Sequence, residues 1–187
     1  MHKRILSAVI LTEEDALDMD FSPSVNILCG QYARDVLLTL AGIFGGIPPR
    51  PFKAVLNWQD DVTLFVSGEN GCVFVNNLKA GRGDPVQLQK RFHKQRFLRF
   101  RNNTHILDGS QLSAGTSGAS DLLLNRLADA LAQKDDRPLF ICNFLERLDE
   151  AIELQSIFEA LNAAGRQVFI VVPRYCRTKT NHHKINL

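Results

Sequence analysis

The strongest constraint on the fold is a pair of short, continuously apolar segments that flank an amphipathic helix pattern. The apolar segments are 138–144 and 167–172, and the helix pattern between them covers 150–164 and closes at Gly165. Apolar runs of strand length without alternation are typical of strands that are covered on both faces. Two such strands joined by a helix favour a parallel sheet with a right-handed crossover. The second half of the chain therefore predicts an α/β fold.

The first half of the chain adds two strands and a helix to this plan. Residues 4–11 and 25–29 are apolar and of strand length, and an acidic, proline-containing connection separates them. After Gly30 the apolar residues recur at helical spacing until a Gly-Gly pair and two prolines end the pattern. A further amphipathic helix is predicted over 120–133.

Residues 52–78 predict a small antiparallel β insert after the first helix. Three β-prone runs, 54–58, 62–67 and 72–76, are separated by short polar turns. The second turn contains Asn70-Gly71, and Asn-Gly between two apolar runs is a strong hairpin signal.

The length and composition favour one folded domain. A chain of 187 residues, 45% hydrophobic and 22% charged, has room for one core of ordinary size and resembles the globular average. We therefore predict a single domain over 1–187. Residues 174–187 are predicted to form a basic tail, in which the His182-His183 pair is mobile and polar.

The cysteine pattern and the hydropathy predict a cytoplasmic protein. The four cysteines, which are Cys29, Cys72, Cys142 and Cys176, are widely spaced and form no CxxC pair, which argues against a zinc site. The sequence contains no apolar run near the ~20 residues that a membrane helix needs. Acidic residues interrupt the apolar segment near the N-terminus, so we expect neither a signal peptide nor a membrane partner.

Four segments carry a family resemblance. Residues 19–30, Met-Asp-Phe-Ser-Pro-Ser-Val-Asn-Ile-Leu-Cys-Gly, lead a strand into a glycine, and residues 111–117, Gln-Leu-Ser-Ala-Gly-Thr-Ser, open a helix. The strand 138–144 precedes Arg-Leu-Asp at 147–149, and a second buried strand covers 168–172. In this order the chain resembles the ABC-type ATPase heads of the SMC, RecF and related families over nearly its whole length. The resemblance implies a P-loop NTPase-like mixed sheet with flanking helices and the small antiparallel insert.

The resemblance assigns a role to each segment. Residues 19–30 look like the approach to the phosphate loop, and residues 111–117 are similar to the Leu-Ser-Gly-Gly-Gln signature. The strand 138–144 stands in the place of the Walker B strand, and 147–149 is similar to the D-loop. The strand 168–172 is the one after which the family usually has a switch histidine.

Most of the groups that such a head uses for ATP chemistry are replaced. A phosphate loop needs glycines, a lysine and a Ser or Thr, whereas Gly30 is followed by Gln-Tyr-Ala-Arg-Asp-Val-Leu. Cys142 and Asn143 stand where the resemblance places the Mg²⁺-binding Asp and the catalytic Glu, and Pro173 stands at the switch-histidine position. We therefore expect no cofactor, with Mg-ATP as the alternative.

The candidate nucleotide contacts fall in two places. Arg34 is a candidate replacement for the missing lysine, because a guanidinium can clamp phosphate, and the other interpretation is a helix-start arginine paired with Asp35 or solvent. Ser113 and Gly115 in the signature are candidates to contact a nucleotide held by a partner head. The alternative is that Ser117 or Ser120 simply caps the following helix. The complete candidate set is Gly30, Gln31, Tyr32, Arg34, Asp35, Ser113 and Gly115.

A basic stretch at 90–101 makes nucleic acid a second candidate partner. Its basic residues are Lys90, Arg91, Lys94, Arg96, Arg99 and Arg101, and three phenylalanines lie among them. Such a stretch could bind a nucleic-acid backbone with bases stacked on the rings. We favour an amphipathic helix with core phenylalanines and a solvated charged face, and a net charge of only +2 agrees with this interpretation.

The leading functional hypothesis is a pseudo-ATPase, not an enzyme, that acts as a binding or assembly module. It would dock onto an active head or pair with itself through the signature face. One alternative is a nucleotide-binding ATPase, an ATP hydrolase with a non-standard phosphate loop, linked to DNA maintenance. Another is a nucleic-acid-binding protein that uses residues 90–101.

Overall fold

The structure is a computed structural model that describes residues 4–11, 16–45, 52–58, 62–69, 72–77, 106–111, 118–133, 138–148, 154–173 and 183–187. In chain order the strands are β1 (Ile5–Leu11), β2 (Ala16–Asp20), β3 (Val25–Cys29), β4 (Phe52–Trp58), β5 (Val62–Glu69), β6 (Cys72–Asn77), β7 (Ile106–Asp108), β8 (Leu139–Cys142), β9 (Val168–Val171) and β10 (His183–Asn186). The α-helices are α1 (Ala33–Gly45), α2 (Ala119–Ala132) and α3 (Leu154–Ala163). None of these helices is long and apolar enough to cross a membrane.

The chain divides into two compact units. One contains Ser22–Leu37 and His105–Leu187 together with the first two residues, and the other contains Lys3–Phe21 and Leu38–Thr104. The first unit is called the parallel unit below, and the second is called the antiparallel unit. The prediction of one head-like domain over 1–187 stays a prediction.

The antiparallel unit is a five-stranded sheet in the order β2-β1-β4-β5-β6. Ala8 lies opposite Leu56 and Ile10 lies opposite Ala54, and all four side chains are buried, so they mark the core face. The strands β4, β5 and β6 pair as antiparallel neighbours. The antiparallel sheet predicted from the β-prone runs is confirmed, and it also includes β1 and β2.

The strand β2 corrects one expectation. We predicted an acidic, proline-containing connection between the first two strands, but part of it, Ala16–Asp20, is a strand that pairs antiparallel with β1. The physical reason is alternation, because Met19 is buried whereas its neighbours Asp18 and Asp20 are exposed. Charged side chains on an edge strand also discourage pairing with other molecules.

The parallel unit is a five-stranded, all-parallel sheet in the order β10-β3-β9-β8-β7. Every residue of β3 and of β8 is buried. The prediction of buried parallel strands at 138–144 and 167–172, joined by a helix, is confirmed. The helices predicted after Gly30 and over 120–133 are present as α1 and α2.

The two faces of the parallel sheet have different cores. On one face the sheet packs with α2 and α3 through buried residues that include Ile27, Ile141, Ile170, Leu123 and Phe158. The alternate residues of the strands face the other way. There Phe140 and Phe169 stack with ring centroids 5.3 Å apart and planes 11° apart.

The strand β10 corrects the expectation of a mobile tail at His183. Residues His183–Asn186 pair in parallel with β3, in a register that places His183 beside Asn26 and Asn186 beside Cys29. The four residues have no apolar pattern, so no strand was predicted there. They are ordered because the buried backbone groups of β3 need hydrogen-bond partners along that edge.

The start of α2 differs from the proposed serine cap. The N-cap position is Gly118, with φ of 81°, and no side chain caps the helix. Ser120 lies inside the first turn, where it is buried, and its hydroxyl donates to the carbonyl of Arg147 over 3.4 Å. This bond joins the helix start to the segment that resembles the D-loop. Ser117 lies outside the described residues.

Candidate functional site

The candidate site lies at the carboxyl edge of the parallel sheet. Because the strands are parallel, the residues that follow β3, β7, β8 and β10 meet at this edge, where ligands bind in open α/β sheets. These residues are Gly30–Asp35 after β3, Asp108–Ser110 at the end of β7, Cys142–Asn143 at the end of β8 and Leu187 after β10.

The segment 30–35, which contains the β3–α1 connection and the first residues of α1, holds five of the predicted site residues. Gly30 has φ of 115°, and the first helical hydrogen bond runs from the amide of Val36 to the carbonyl of Tyr32 over 2.9 Å. The side chains of Gln31, Tyr32, Arg34 and Asp35 are exposed. They surround a helix amino end, which is a favourable place for an anion.

The backbone of Leu187 covers Gly30. The amide of Leu187 donates to the carbonyl of Cys29 over 2.7 Å, which continues the β10–β3 pairing. A Cβ built on Gly30 would overlap the carbonyl oxygen of Leu187. The glycine that the sequence offered as a phosphate-loop residue is therefore in direct backbone contact with residue 187.

Cys29, beside this contact, holds β10 through its side chain. Its Sγ lies 3.3 Å from the carbonyl oxygen of Ile185 and 3.3 Å from Oδ1 of Asn186. Burial raises the pKa of the Cys29 thiol, and the positive charge of Lys184 opposes this effect. The thiol therefore stays protonated and can donate to these oxygens.

Asp108 provides an acid next to the position where the Walker B glutamate was expected. The side-chain amide of Asn143 donates to Oδ1 of Asp108 over 2.9 Å, and the backbone amide of Ser110 donates to the same oxygen over 2.9 Å. The two strands are neighbours, and Asp108 pairs with Cys142 in the register of β7 and β8. The carboxylate comes from the adjacent strand instead of the Walker B strand.

The surroundings of Asp108 favour its ionised form. Burial acts to raise the pKa of Asp108, but hydrogen bonds from Asn143 and Ser110 and the positive charge of Arg34 act in the opposite direction and exceed it. The net result is a pKa below the ordinary value for an aspartate. Asp108 is therefore a carboxylate at neutral pH, and Arg34 is its electrostatic partner across the site.

The surroundings of Cys142 favour its protonated, neutral form. Burial, reinforced by the nearby Asp108 carboxylate, raises the pKa of its thiol to about 12, although Arg34 partly opposes the shift. The side chain is fully buried. Because the thiolate is the nucleophilic and metal-binding form, Cys142 acts here as a small apolar residue.

Asn143 adopts a left-handed backbone conformation with φ of 50°. Asparagine tolerates this region better than most residues. Gly109 lies against it so closely that a Cβ on Gly109 would overlap the carbonyl oxygen of Asn143. The left-handed turn and the glycine together orient the Asn143 amide toward Asp108.

The residues at this edge do not fit a magnesium-bound triphosphate. The backbone of Leu187 covers the glycine of the loop, and residues 31–35 contain no lysine, serine or threonine. Asp108 already accepts two hydrogen bonds at one oxygen. In the part of the chain that the structure describes, no group of three His, Cys, Asp or Glu side chains could hold a metal ion.

The other predicted site residues lie outside the residues that the structure describes, so their positions relative to this edge are not given. Ser113 and Gly115 of the signature segment lie outside the described residues, as do the six basic residues between Lys90 and Arg101. Gln111, the first residue of that segment, ends a 3₁₀ turn that follows β7. The nucleotide contacts and the nucleic-acid interface stay predictions.

The fold defines a class: it is a mixed α/β fold of the P-loop NTPase type, with a five-stranded parallel sheet, packed helices and an antiparallel sheet. Among solved structures the chain is similar to an SMC head domain from Thermotoga maritima, with a TM-score of 0.55 and 12% sequence identity. The match covers 90% of this chain and 88% of that chain. No protein-family model and no curated protein matches the sequence. At 12% identity the similarity establishes the fold alone. The predicted resemblance to ABC-type heads is therefore confirmed for the fold.

The sequence did not indicate two of the groups at this edge. Asp108 ends a strand of only three residues, and the available signal was the pattern Ile-Leu-Asp-Gly, an apolar pair followed by an acid and a glycine. Leu187 comes from a polar segment without periodicity. Its position next to Gly30 depends on a pairing between distant parts of the chain, which no local pattern encodes.

Proposed function

We propose that this protein is a degenerate ABC-type head, a pseudo-ATPase that acts as a binding or assembly module. The observation that carries the proposal is the contact between Leu187 and Gly30. A phosphate loop needs free backbone amides around its glycines, and here a neighbouring strand and its following residue cover that glycine. The head-like scaffold is therefore retained without an open phosphate position.

The chemistry of the neighbouring strands supports the same proposal. Cys142 stays a neutral thiol, so it does not replace an aspartate as a ligand for Mg²⁺. Asn143 can orient a water molecule but cannot accept a proton from it. Its amide is also already bonded to Asp108. These groups give little stabilisation to the transition state of ATP hydrolysis.

The proposed partner is another head-like protein or a second copy of this chain. In ABC-type heads the signature segment faces the partner head, and residues 111–117 are similar to it. A head that keeps its scaffold and its signature can still contribute a surface to an assembly. The cytoplasmic location stays a prediction alongside this proposal.

An ATP hydrolysis assay with Mg²⁺ tests the proposal, because it measures the activity that the proposal denies. We expect a rate at the background of the buffer for the unmodified protein and for Arg34→Ala and Asn143→Ala. Turnover at ordinary enzyme rates, roughly 1–1000 s⁻¹, that both substitutions abolish would contradict the proposal. Light scattering of the same preparation reports whether the protein assembles.

A second candidate function is nucleotide binding through a reorganised loop, in an ATPase linked to DNA maintenance. The observation that favours it is the placement of Arg34 and ionised Asp108 at one edge of the sheet. A guanidinium can bind phosphate, and a carboxylate can bind a hard cation. If this hypothesis is correct, Arg34→Ala weakens nucleotide binding. An affinity that the substitution leaves unchanged would exclude it.

A further inference from the structure

The turn that follows β8 connects the carboxyl edge of the parallel sheet to the start of α2. It begins at Asn143, whose side-chain amide donates to Asp108 over 2.9 Å, and it continues into a 3₁₀ turn at Leu145–Arg147. At the far end the carbonyl of Arg147 accepts the bond from the hydroxyl of Ser120, over 3.4 Å. One short segment therefore contacts both the sheet edge and the helix.

The segment between these two contacts is closely packed. Phe144 and Leu145 are buried in the same core as Leu123 of α2. The amide of Arg147 donates to the carbonyl of Phe144 over 3.1 Å, and the amide of Leu148 donates to the carbonyl of Leu145 over 3.4 Å. Closely packed interiors are hard to compress and transmit strain. A displacement at one end of this turn therefore reaches the other end.

The backbone of Asn143 needs support from its surroundings. Its φ of 50° lies in a left-handed region that few residues other than glycine adopt. Such conformations persist only where neighbouring groups hold them. Gly109 leaves room for the carbonyl oxygen of Asn143, and the bond to Asp108 fixes the side chain. The conformation of the turn therefore depends on this bond.

The start of α2 also depends on contacts outside the helix. Its N-cap position is Gly118, which has no side chain to cap the backbone amides. The first helical hydrogen bond runs from the amide of Leu122 to the carbonyl of Gly118 over 3.0 Å. Helix ends without a capping side chain are less stable and open locally. The bond from Ser120 to Arg147 therefore helps to hold this end in place.

We propose that Asn143 is a positioning residue for α2, because its bond to Asp108 fixes the turn and the turn fixes the first residues of the helix. The inference rests on the assembly role proposed above, since α2 begins directly after the segment that resembles the signature. Leu122, an apolar residue that is 41% exposed, lies in this first helical turn. A change at the sheet edge then alters the surface that a partner meets.

Amide hydrogen exchange of the full-length protein tests the proposal, because it measures the start of the helix locally. The two amides compared are that of Leu122 and that of Ala164, which donates to the carbonyl of Ala160 over 3.2 Å at the end of α3. Asn143→Asp breaks the bond by placing two carboxylates together, whereas aspartate tolerates the left-handed conformation as asparagine does. We expect the exchange rate of Leu122, relative to that of Ala164, to rise at least ~5-fold.

A second substitution restores the bond. When Asp108→Asn is added to Asn143→Asp, one carboxylate and one amide are present again in exchanged positions, and we expect the ratio to return to that of the unmodified protein. The control is Asn125→Asp, which introduces the same charge at an exposed position of α2 and leaves the ratio unchanged. Equal increases at Leu122 and Ala164 would indicate a general loss of stability and overturn the proposal. A ratio that does not rise, or that the second substitution does not restore, would also overturn it.

Ser120→Ala tests the other end of the connection. It removes the bond to Arg147, and we expect it to raise the same ratio. Asn143→Gly loses the bond to Asp108 but tolerates the conformation, so this variant replaces Asn143→Asp if the latter does not fold. In combination with Ser120→Ala it is expected to raise the ratio by less than the two separate effects predict, because coupled residues are not additive. Additive effects would overturn the proposal.

Light scattering of the same variants separates this inference from the assembly role. We expect Asn143→Asp to weaken assembly and the added Asp108→Asn to restore it. Assembly that Asn143→Asp leaves at full strength would overturn the positioning role. A protein that never assembles but has the expected exchange rates would reject the assembly role and leave the connection between the turn and α2 standing.

Discussion

The carbonyl oxygen of Leu187 fills the space that a side chain on Gly30 would need. Gly30 has φ of 115°, so its backbone conformation also disfavours a side chain. A glycine after a buried strand is typical of a phosphate loop, but here its lack of a side chain accommodates the chain's own backbone. The stability of β10 and the conformation of the β3–α1 connection are therefore coupled.

Gly30→Ala tests this contact together with the strain of its backbone conformation. We expect it to destabilise the protein by about 2–3 kcal/mol, because it combines a positive φ with a steric overlap. The comparison is Gly165→Ala, since Gly165 has a φ of 65°, which an alanine tolerates better than 115°, and has open space around its Cβ position. We expect about 1 kcal/mol there. Thermal unfolding measures both, at roughly 2–4 °C per kcal/mol, and equal losses would contradict the contact.

The Asn143 turn predicts a difference between two substitutions. Asn143→Ala loses the amide bond to Asp108 and places alanine at φ of 50°, so we expect a loss of about 2 kcal/mol. Asn143→Gly loses the same bond but tolerates the conformation, so we expect a loss of about 1 kcal/mol. Chemical denaturation measures the free energies of unfolding. A glycine variant no more stable than the alanine variant would mean that the backbone is not strained at this position.

Asp108 predicts a pH dependence of stability. Its folded-state pKa is lowered, so it contributes stability above the unfolded-state pKa of about 3.9, and this contribution disappears as the pH falls through the folded-state pKa. We expect Asp108→Asn to be about 1 kcal/mol less stable than the unmodified protein near neutral pH, after allowance for solvent screening, and equally stable in strong acid.

Thermal unfolding across this pH range checks the prediction for Asp108. The control is Asp129→Asn, at an exposed position of α2, which removes the same charge without removing the bonds from Asn143 and Ser110. If Asp108→Asn lowered the stability by the same amount at every pH, the loss would not come from the lowered pKa of Asp108.

Cys142 should resist alkylation while the protein is folded. With a pKa of about 12, roughly one thiol in ten thousand is ionised at a pH of about 8, and the side chain is also buried. We expect iodoacetamide to modify Cys142 only after denaturation. Peptide mass spectrometry of the native and denatured protein measures the modified fraction at this residue. Similar rates in both states would show that Cys142 is accessible.

The sequence predicts the buried parts of this fold well. The strands β8 and β9 are continuous apolar runs, and the helix α3 has a clear amphipathic pattern. Burial on both faces leaves that signature in the residues themselves. The turn after Gly30 was also predicted, since a change from strand to helix periodicity marks it.

Three of the four edge strands in the described sheets were missed for a physical reason, whereas the edge strand β6 was predicted from its apolar run. An edge strand is held by backbone pairing, which any sequence can supply, so β2, β7 and β10 have weak local signals. Asp108 ends β7 and Leu187 follows β10, and their roles depend on partners that are distant in sequence. The candidate site was therefore predicted only on the side contributed by β3, α1 and β8.

We propose that Leu187 covers the position that a nucleotide phosphate would occupy, and a thermal-shift measurement of nucleotide binding tests this proposal. The melting temperature of the full-length protein is compared with Mg²⁺ alone and with Mg-ATP or Mg-ADP at millimolar concentration, beside Arg34→Ala. We predict no difference between these conditions, because a ligand stabilises a folded protein only when it binds to it. A melting temperature that rises with nucleotide concentration, and a rise that Arg34→Ala abolishes, would show that the phosphate position is open.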